Sequence, residues 1–292
     1  MDETRKRRRR DRRDPHPPRI VLNDRDKAII WTVYQYRVLR QDQLQVLFFG
    51  SRAAAQRRLA LLYHHGFLER QFLLVRPGIM NSPTLYLLDR RGEELLRSEY
   101  GMEEVSWNTS HNHVSSDFLD HALAINDVRI AVTLACQKTG YELLAWYSET
   151  QIKQDYDRVQ VKSAHGRTRS VAVVPDSYFA LATPFGNTHF FLELDRGTMT
   201  TRRFRDKVEA FLAYYRSGGY EKRYGAKSLR VLTVTLSQRR LENLKAVTEE
   251  AGGTVWFWFG VLSDLTPETV LTQPVWQVAT REGKAALIAP HS

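Results

Sequence analysis

The chain has a single cysteine, Cys136, among 292 residues. That excludes an internal disulfide framework and a cysteine-rich zinc site, and it leaves Cys136 as a small buried apolar residue. Long apolar runs are missing too. None reaches the roughly 18 residues that a bilayer span needs, so no membrane partner is expected. The basic N-terminus is not followed by an apolar segment, so no secretory signal is expected. The chain has no glycine-rich phosphate loop ending in Lys-Ser/Thr, which argues against ATP use. A Ser-His-Asp arrangement is not visible, and neither is the histidine cluster that metal-assisted, tyrosine-based nicking would use. These absences together point to a cytoplasmic protein.

What the chain does have is apolar content and positive charge. At 42% hydrophobic residues it can bury sizeable cores, and its length suggests about two domains. The net charge of +10 and the pI near 9.7 favour a polyanionic partner. Half of the excess lies in residues 1–19, with nine Arg/Lys against four Asp/Glu. The run RKRRRRDRR, which includes Arg7, Arg8, Arg9 and Arg10, has nothing apolar to pack, so residues 1–19 read as a disordered basic tail making phosphate contacts. Asp14-Pro15-His16-Pro17-Pro18 reads as a stiff spacer.

Residues 20–100 read as one DNA-binding domain. Asn23 or Asp24 caps a helix reaching about Arg37, with Ala28, Ile29, Trp31, Thr32 and Tyr36 near one face. A short extended stretch, Val38-Leu39-Arg40, precedes a helix from Gln41 to Phe48. Ser51 caps a third helix that buries Ala55, Leu59, Leu62 and Tyr63, exposes Arg52, Gln56, Arg57 and Arg58, and stops at Gly66. Strands Phe67–Val75 and Thr84–Leu88 follow. Three helices and a hairpin in this order make a winged helix-turn-helix. Its third helix would enter the major groove, where Arg pairs with guanine and Gln with adenine. A further helix covers Asp89–Tyr100, and residues 101–114 read as a linker.

Residues 115–292 read as a second domain. It opens on a long helix, Ser116–Lys138, with a stripe of Phe118, Ala122, Ile125, Arg129, Val132 and Cys136. Strand Tyr141–Tyr147 precedes a polar excursion around residues 162–169. Strands Val171–Leu181 and His189–Asp195, a helix from about Thr200 to Arg216, strand Leu229–Leu236, helix Arg239–Ala251 and strand Thr254–Phe259 complete it. Trp256-Phe257-Trp258-Phe259 fits a stacking platform for bases, but more readily an aromatic core strand.

The chemistry concentrates between Val171 and Lys207. The period of two in strands puts Phe191, Glu193 and Asp195 on one face, and Asp176 on the face of Val174 and Tyr178. A hairpin of these two strands would bring Asp176 to Glu193. Two such carboxylates repel unless a cation lies between them, and Mg²⁺ suits oxygen ligands from one or two carboxylates plus water and phosphate. Lys207 projects near the buried seam of the next helix, three residues after Phe204 and four before Phe211. Arg202 and Arg203 lie on its outer face, suited to backbone phosphate.

The element order and the residues Pro175-Asp176 and Glu193-x-Asp195 resemble the PD-(D/E)xK nuclease superfamily. From about Asp24 to Gly260, winged helix included, the chain also resembles the bacterial replication-relaxation family, whose members are linked to plasmid replication and mobilisation. The resemblance implies an α+β / α/β chain with a restriction-endonuclease-like αβββαβ domain behind the winged helix. It implies Asp176 and Glu193 as ligands of Mg²⁺, with Mn²⁺ able to substitute. The nuclease pattern places a Lys where this chain has Asp195, so the resemblance leaves Lys207 to supply that cation and Asp195 as a third ligand or as half of an ion pair with Arg196. The implied partner is double-stranded DNA, such as a supercoiled plasmid or origin-like site, and a homodimer is compatible with it. A metal-dependent nickase and a non-catalytic DNA-binding regulator with a degenerate nuclease-like domain both fit. A protein-interaction module with a solubilising tail is the third class.

Overall fold

The computed structural model describes residues 11–73, 82–162 and 168–288. The chain divides into two compact units, Met1–Asn126 and Asp127–Ser292.

The first unit begins with α1 (Asp24–Tyr36). Asn23 caps it, and a reciprocal bond runs from the Asn23 backbone N–H to Asp26 Oδ2 at 2.9 Å. β1 (Val38–Arg40), α2 (Gln41–Phe48), α3 (Arg52–His64), β2 (Leu68–Phe72), β3 (Thr84–Leu88) and α4 (Arg90–Tyr100) follow. The three strands form an antiparallel sheet in the order β1-β3-β2. On α3, Ala55, Leu59, Leu62 and Tyr63 are buried, which is the face expected from their spacing. α1 differs from expectation. Its buried face is Asp26, Ile29, Ile30, Val33 and Tyr36, while Trp31 and Thr32 are half-buried. The face is turned because Asp26 is drawn inward by Arg58. Gly92 lets α4 approach closely, since a Cβ there would sit 2.3 Å from the Phe67 carbonyl oxygen. The connection through Pro77-Gly78 and Asn81 lies outside the described residues.

The basic tail was expected to be disordered through residue 19, but the chain is already held from Arg13. Arg13 Nε donates to the Tyr63 carbonyl at 2.9 Å, and its guanidinium pairs with Asp89. The Asp14 backbone N–H donates to His64 Nδ1 at 3.0 Å, and His65 Nε2 bonds the Pro18 carbonyl at 2.8 Å. The stiff proline-rich backbone loses little entropy on docking, so a few polar contacts suffice to hold it. Arg7, Arg8, Arg9 and Arg10 lie outside the described residues.

The division between units falls within α5 (Ser116–Thr139). Its first half packs Leu119 and Leu123 against Val38, Leu85 and Leu87. Its buried stripe there is Leu119, Leu123 and Asn126 rather than Phe118, Ala122 and Ile125. Asn126 turns the helix by donating Nδ2 to the Tyr36 and Val38 carbonyls at 3.1 and 2.7 Å.

The second unit continues with β4 (Glu142–Ser148), α6 (Glu149–Ile152), β5 (Arg158–Lys162), β6 (Thr168–Ala172), β7 (Ser177–Thr183), β8 (Gly186–Asp195), α7 (Thr201–Ser217), α8 (Gly219–Tyr224), β9 (Leu229–Thr235), α9 (Gln238–Glu250), β10 (Phe257–Val261), β11 (Trp276–Val278) and β12 (Lys284–Ala285). Seven of the strands form one mixed sheet in the order β12-β11-β10-β9-β8-β7-β4, with β8, β9 and β10 parallel and the other pairs antiparallel. Its core order, α5-β4-β7-β8-α7-β9, is the expected αβββαβ. Two features depart from expectation. The polar excursion is flanked by a β5–β6 hairpin, and the apolar stretch 171–181 is two strands broken at residues 173–176. Pro175 lacks the N–H a continuous ladder would use, so the strand restarts after it. Phe257, Trp258 and Phe259 are buried and Trp256 stacks on Tyr215 at 3.5 Å, so this strand is core.

Arg58, expected to be exposed, reaches back from α3 to the fully buried Asp26, with its Nε 2.7 Å from Oδ1. Truncating it strands a buried carboxylate. Arg58→Ala is therefore expected to lower the urea-unfolding free energy by about 3 kcal/mol. Arg57→Ala, exposed on the same helix, should stay within about 0.5 kcal/mol of wild type. Equal midpoints for the two variants would contradict this assignment.

Candidate functional site

β8 runs through the middle of the sheet and is buried from His189 to Asp195. Near its carboxyl end it carries two acids where apolar side chains would be expected, Glu193 and Asp195, exposed only 2% and 3%. In open sheets of parallel strands this end is where ligands gather. α7 covers it, capped by Thr200 and ended by Gly218 in the left-handed region at φ 67°. α7 buries Phe204, Val208 and Phe211 in the same core as Phe191 of β8. Lys207 lies between those contacts and points to the strand end.

The register explains the convergence. Ser177 of β7 pairs with Leu192 of β8, so one position further Asp176 falls opposite Glu193. Asp176 Oδ2 accepts the Leu194 backbone N–H at 2.7 Å, satisfying a donor that the broken strand leaves open. The Lys207 ammonium donates to a Glu193 carboxylate oxygen. Its pKa stands above the usual lysine value. Burial alone would lower it, but the charges of Glu193 and Asp176 and the hydrogen bond to Glu193 outweigh that, with Glu149 adding to them. The structure therefore brings Asp176, Glu193 and Lys207 together.

Asp195 does not join them. Its Oδ2 accepts from Arg240 Nε of α9 at 2.6 Å, and its Oδ1 accepts the Gly197 N–H at 2.8 Å. Arg240 also donates to the Met199 carbonyl at 2.6 Å. The pair with Arg240 thus ties the loop between β8 and α7 to α9. Arg240 lies 45 residues away in the chain, so no local spacing pointed to it. Arg202 and Arg203 are exposed on the first turn of α7. Their neighbour Arg205 is paired with Glu250 at 2.6 Å.

Glu149 was missed. Ser148 pairs with Ser177 across β4 and β7, so the next position sets Glu149 opposite Asp176. Its carboxylate bonds Lys153 at 2.7 Å. The available signal was the Ser148–Gln151 capping box, which marks a helix start directly after the strand. Among the described residues, no group of three or more His, Cys, Asp or Glu is arranged to hold a metal ion. Two carboxylates are the donors at hand, an oxygen set that suits a hard cation completed by water and phosphate.

In the first unit, Arg52 and Gln56 line a cleft of about 790 Å³ together with Arg40, Arg70, Gln41, Gln45 and Asp42, which pairs with Arg40 at 3.1 Å and leaves Arg52 and Arg70 as its remaining cations. Arg57 is exposed beside it, and Arg58 is held by Asp26. Arg40 and Arg70 escaped notice because they come from β1 and β2 and meet α3 only in the folded unit. Among the described residues no helix is long and apolar enough to cross a membrane.

A sequence profile described as replication-relaxation matches residues 31–229. No curated protein matches. Two solved structures of the restriction endonuclease FokI superpose loosely. One gives a TM-score of 0.28 at 10% identity, covering 82% of this chain and 42% of that one. The other, described as bound to DNA, gives 0.26 at 11% identity, covering 82% and 43%. The chain spans less than half the length of either.

Removing the ammonium leaves Glu193 buried beside Asp176. Lys207→Met is expected to cost about 2 kcal/mol at neutral pH. That is less than the roughly 3–5 kcal/mol of a fully buried pair, because the Lys207 side chain is 31% exposed. The sign follows from linkage. Without its cation the buried Glu193 carboxylate is an uncompensated charge, so adding a proton to it relieves the variant and the deficit shrinks as pH falls. In wild type the raised Lys207 pKa gives stabilisation that is complete below the unfolded lysine value and lost as pH rises through the folded one. Thermal unfolding of both proteins across pH 4–12 checks this, and a deficit growing toward low pH would contradict it.

Proposed function

Since the chain belongs to the replication-relaxation family, we propose that it acts on DNA, with the first unit as a winged helix-turn-helix and the second as a metal-dependent nickase of PD-(D/E)xK type. The observation that carries this reading is the convergence of Lys207 on Glu193 beside Asp176 at the carboxyl end of a central strand. The connectivity α1-β1-α2-α3-β2-β3 and the basic cleft along α3 support the DNA-binding half. Arg52, Gln56 and Arg57 would reach base edges or phosphates in the major groove, and Arg202 and Arg203 would hold backbone phosphate near the reacting bond.

Asp176 and Glu193 would hold Mg²⁺ or Mn²⁺, which, when bound, supplies polarisation of the phosphate and a more acidic water. The rest of the chemistry is the chain's own. Lys207 transfers its hydrogen bonds from the Glu193 carboxylate to a phosphate oxygen or the incoming water, placing a full positive charge where negative charge develops. Glu193 is almost fully buried, whereas the Lys207 side chain is 31% exposed, so the ammonium is open to an incoming phosphate. The Asp195–Arg240 pair positions the loop that leads into α7 and takes no part in bond breaking.

A second reading, a DNA-binding regulator with a degenerate nuclease-like domain, draws on the closed Lys207–Glu193 pair. Nicking of supercoiled DNA separates the two. With Mg²⁺ or Mn²⁺ the wild type should convert supercoiled to open-circular DNA, and Asp176→Ala, Glu193→Ala and Lys207→Met should each be slower by about 10²-fold or more. All should still bind duplex DNA through α3. Binding without any metal-dependent nicking would leave the regulator as the reading that stands.

A further inference from the structure

Two residues back from the acidic row, the same sheet face carries Tyr147 on β4 opposite Tyr178 on β7. Their rings stack at 5.5 Å and 19°, and Tyr178 stacks on Tyr224 from the end of α8 at 4.0 Å and 18°. Tyr178 is buried, and its hydroxyl is fixed by a 2.7 Å bond to His189 Nδ1, so the middle ring cannot rotate away. Tyr147 is the outer ring, 45% exposed. The stack opens into a cleft of about 490 Å³ lined by Tyr147, Tyr178, Tyr224, Gln151, Gln154 and Arg223.

The charges in the cleft decide what it can hold. Arg223 is compensated by Asp155 at 3.2 Å and Asp157 at 3.5 Å. A phosphate would meet those carboxylates as well as the guanidinium. A flat, uncharged group with polar edges fits better, since the aromatic stack offers a π-face and Gln154 an amide, while Gln151, whose Oε1 holds the Ser148 N–H at 2.9 Å, offers its NH2. One residue pair along each strand from Tyr147 and Tyr178 come Ser148 and Ser177, and the next pair is Glu149 and Asp176, about 7 Å on. The cleft therefore adjoins the place where the scissile phosphate would lie.

We propose that this cleft seats one unstacked nucleobase of the strand being nicked, which extends the Tyr147–Tyr178–Tyr224 stack while the Gln154 amide and the Gln151 NH2 meet its polar edge. This rests on the reading of the second unit as DNA-acting and narrows its substrate to single-stranded or locally melted DNA at the nick. Stacking on a tyrosine tolerates any base, so the cleft supplies a conformational requirement rather than a sequence code.

The test uses the full chain without divalent metal, so that nothing is cut. Short single-stranded oligonucleotides carrying 2-aminopurine report stacking by quenching, and an end label reports binding by anisotropy. Wild type should bind and quench. Tyr147→Ala should lose the quenching and about 10-fold in single-strand affinity, while Tyr147→Phe keeps both and duplex binding through α3 is unchanged in either. Gln154→Ala, also exposed, should weaken single-strand binding without abolishing the quenching. If Tyr147→Ala binds and quenches as wild type does while duplex binding persists, the cleft proposal is overturned and the DNA reading survives. If wild type binds no DNA of any form, both are overturned.

Discussion

A carboxylate buried in an interior strand of a largely apolar sheet must be given a cation or a proton. Glu193 is given Lys207, and much of the second unit follows from that requirement. Lys207 can reach Glu193 only if α7 lies across β8 with Phe204, Val208 and Phe211 packed beside Phe191. Each of those side chains contributes about 1.5–3 kcal/mol on burial, so the apolar seam offsets the desolvation of the charges it surrounds. The Asp195–Arg240 pair sets the loop into α7, and through it the start of the helix. The first unit solves the same problem on a smaller scale, where buried Asp26 of α1 is met by Arg58 of α3. In both units a charge that looks like surface chemistry in one dimension turns out to hold two elements together.

Strand register then determines what stands beside the ion pair. Because β4, β7 and β8 are antiparallel and in step, Glu149, Asp176 and Glu193 fall in one row, and Tyr147, Tyr178 and Phe191 fall in the row behind it. The register thus sets a row of acids next to a row of aromatic rings at one strand end. On the opposite face the same register aligns Trp146, Phe179 and Phe190 into a stacked ladder, which is core.

Much of this was legible in one dimension. Asn23 and Ser51 cap helices where side-chain oxygens meet the start of an apolar period, as their spacing indicated, and the αβββαβ order was readable from alternation and glycine stops. The pairing of Asp176 with Glu193 followed from placing both on strands joined by a short turn. Other features were hidden for physical reasons. The stripe on α5 was displaced by one residue because Asn126 bonds backbone carbonyls of another element, a tertiary demand that outweighs hydrophobic spacing. The β5–β6 hairpin was obscured by polar residues on strands of a two-stranded sheet, where one face stays solvated. The break before β7 needed Pro175 to be weighed against a long apolar run.

By itself the sequence determined which segments are helices and strands, that the chain is basic, and that acids sit near the ends of apolar strands. These properties are local or additive, set by capping, periodicity and composition. Only the tertiary structure decided which charges have partners. Arg58 turned inward, Asp195 went to Arg240, and Lys207 went to Glu193. Partner choice depends on which distant groups share a desolvated space, and along the chain those groups are 32, 45 and 14 residues apart. An ion pair is worth little in water and much out of it, so burial, which belongs to the fold as a whole, selects which of the sequence's many possible pairs are made.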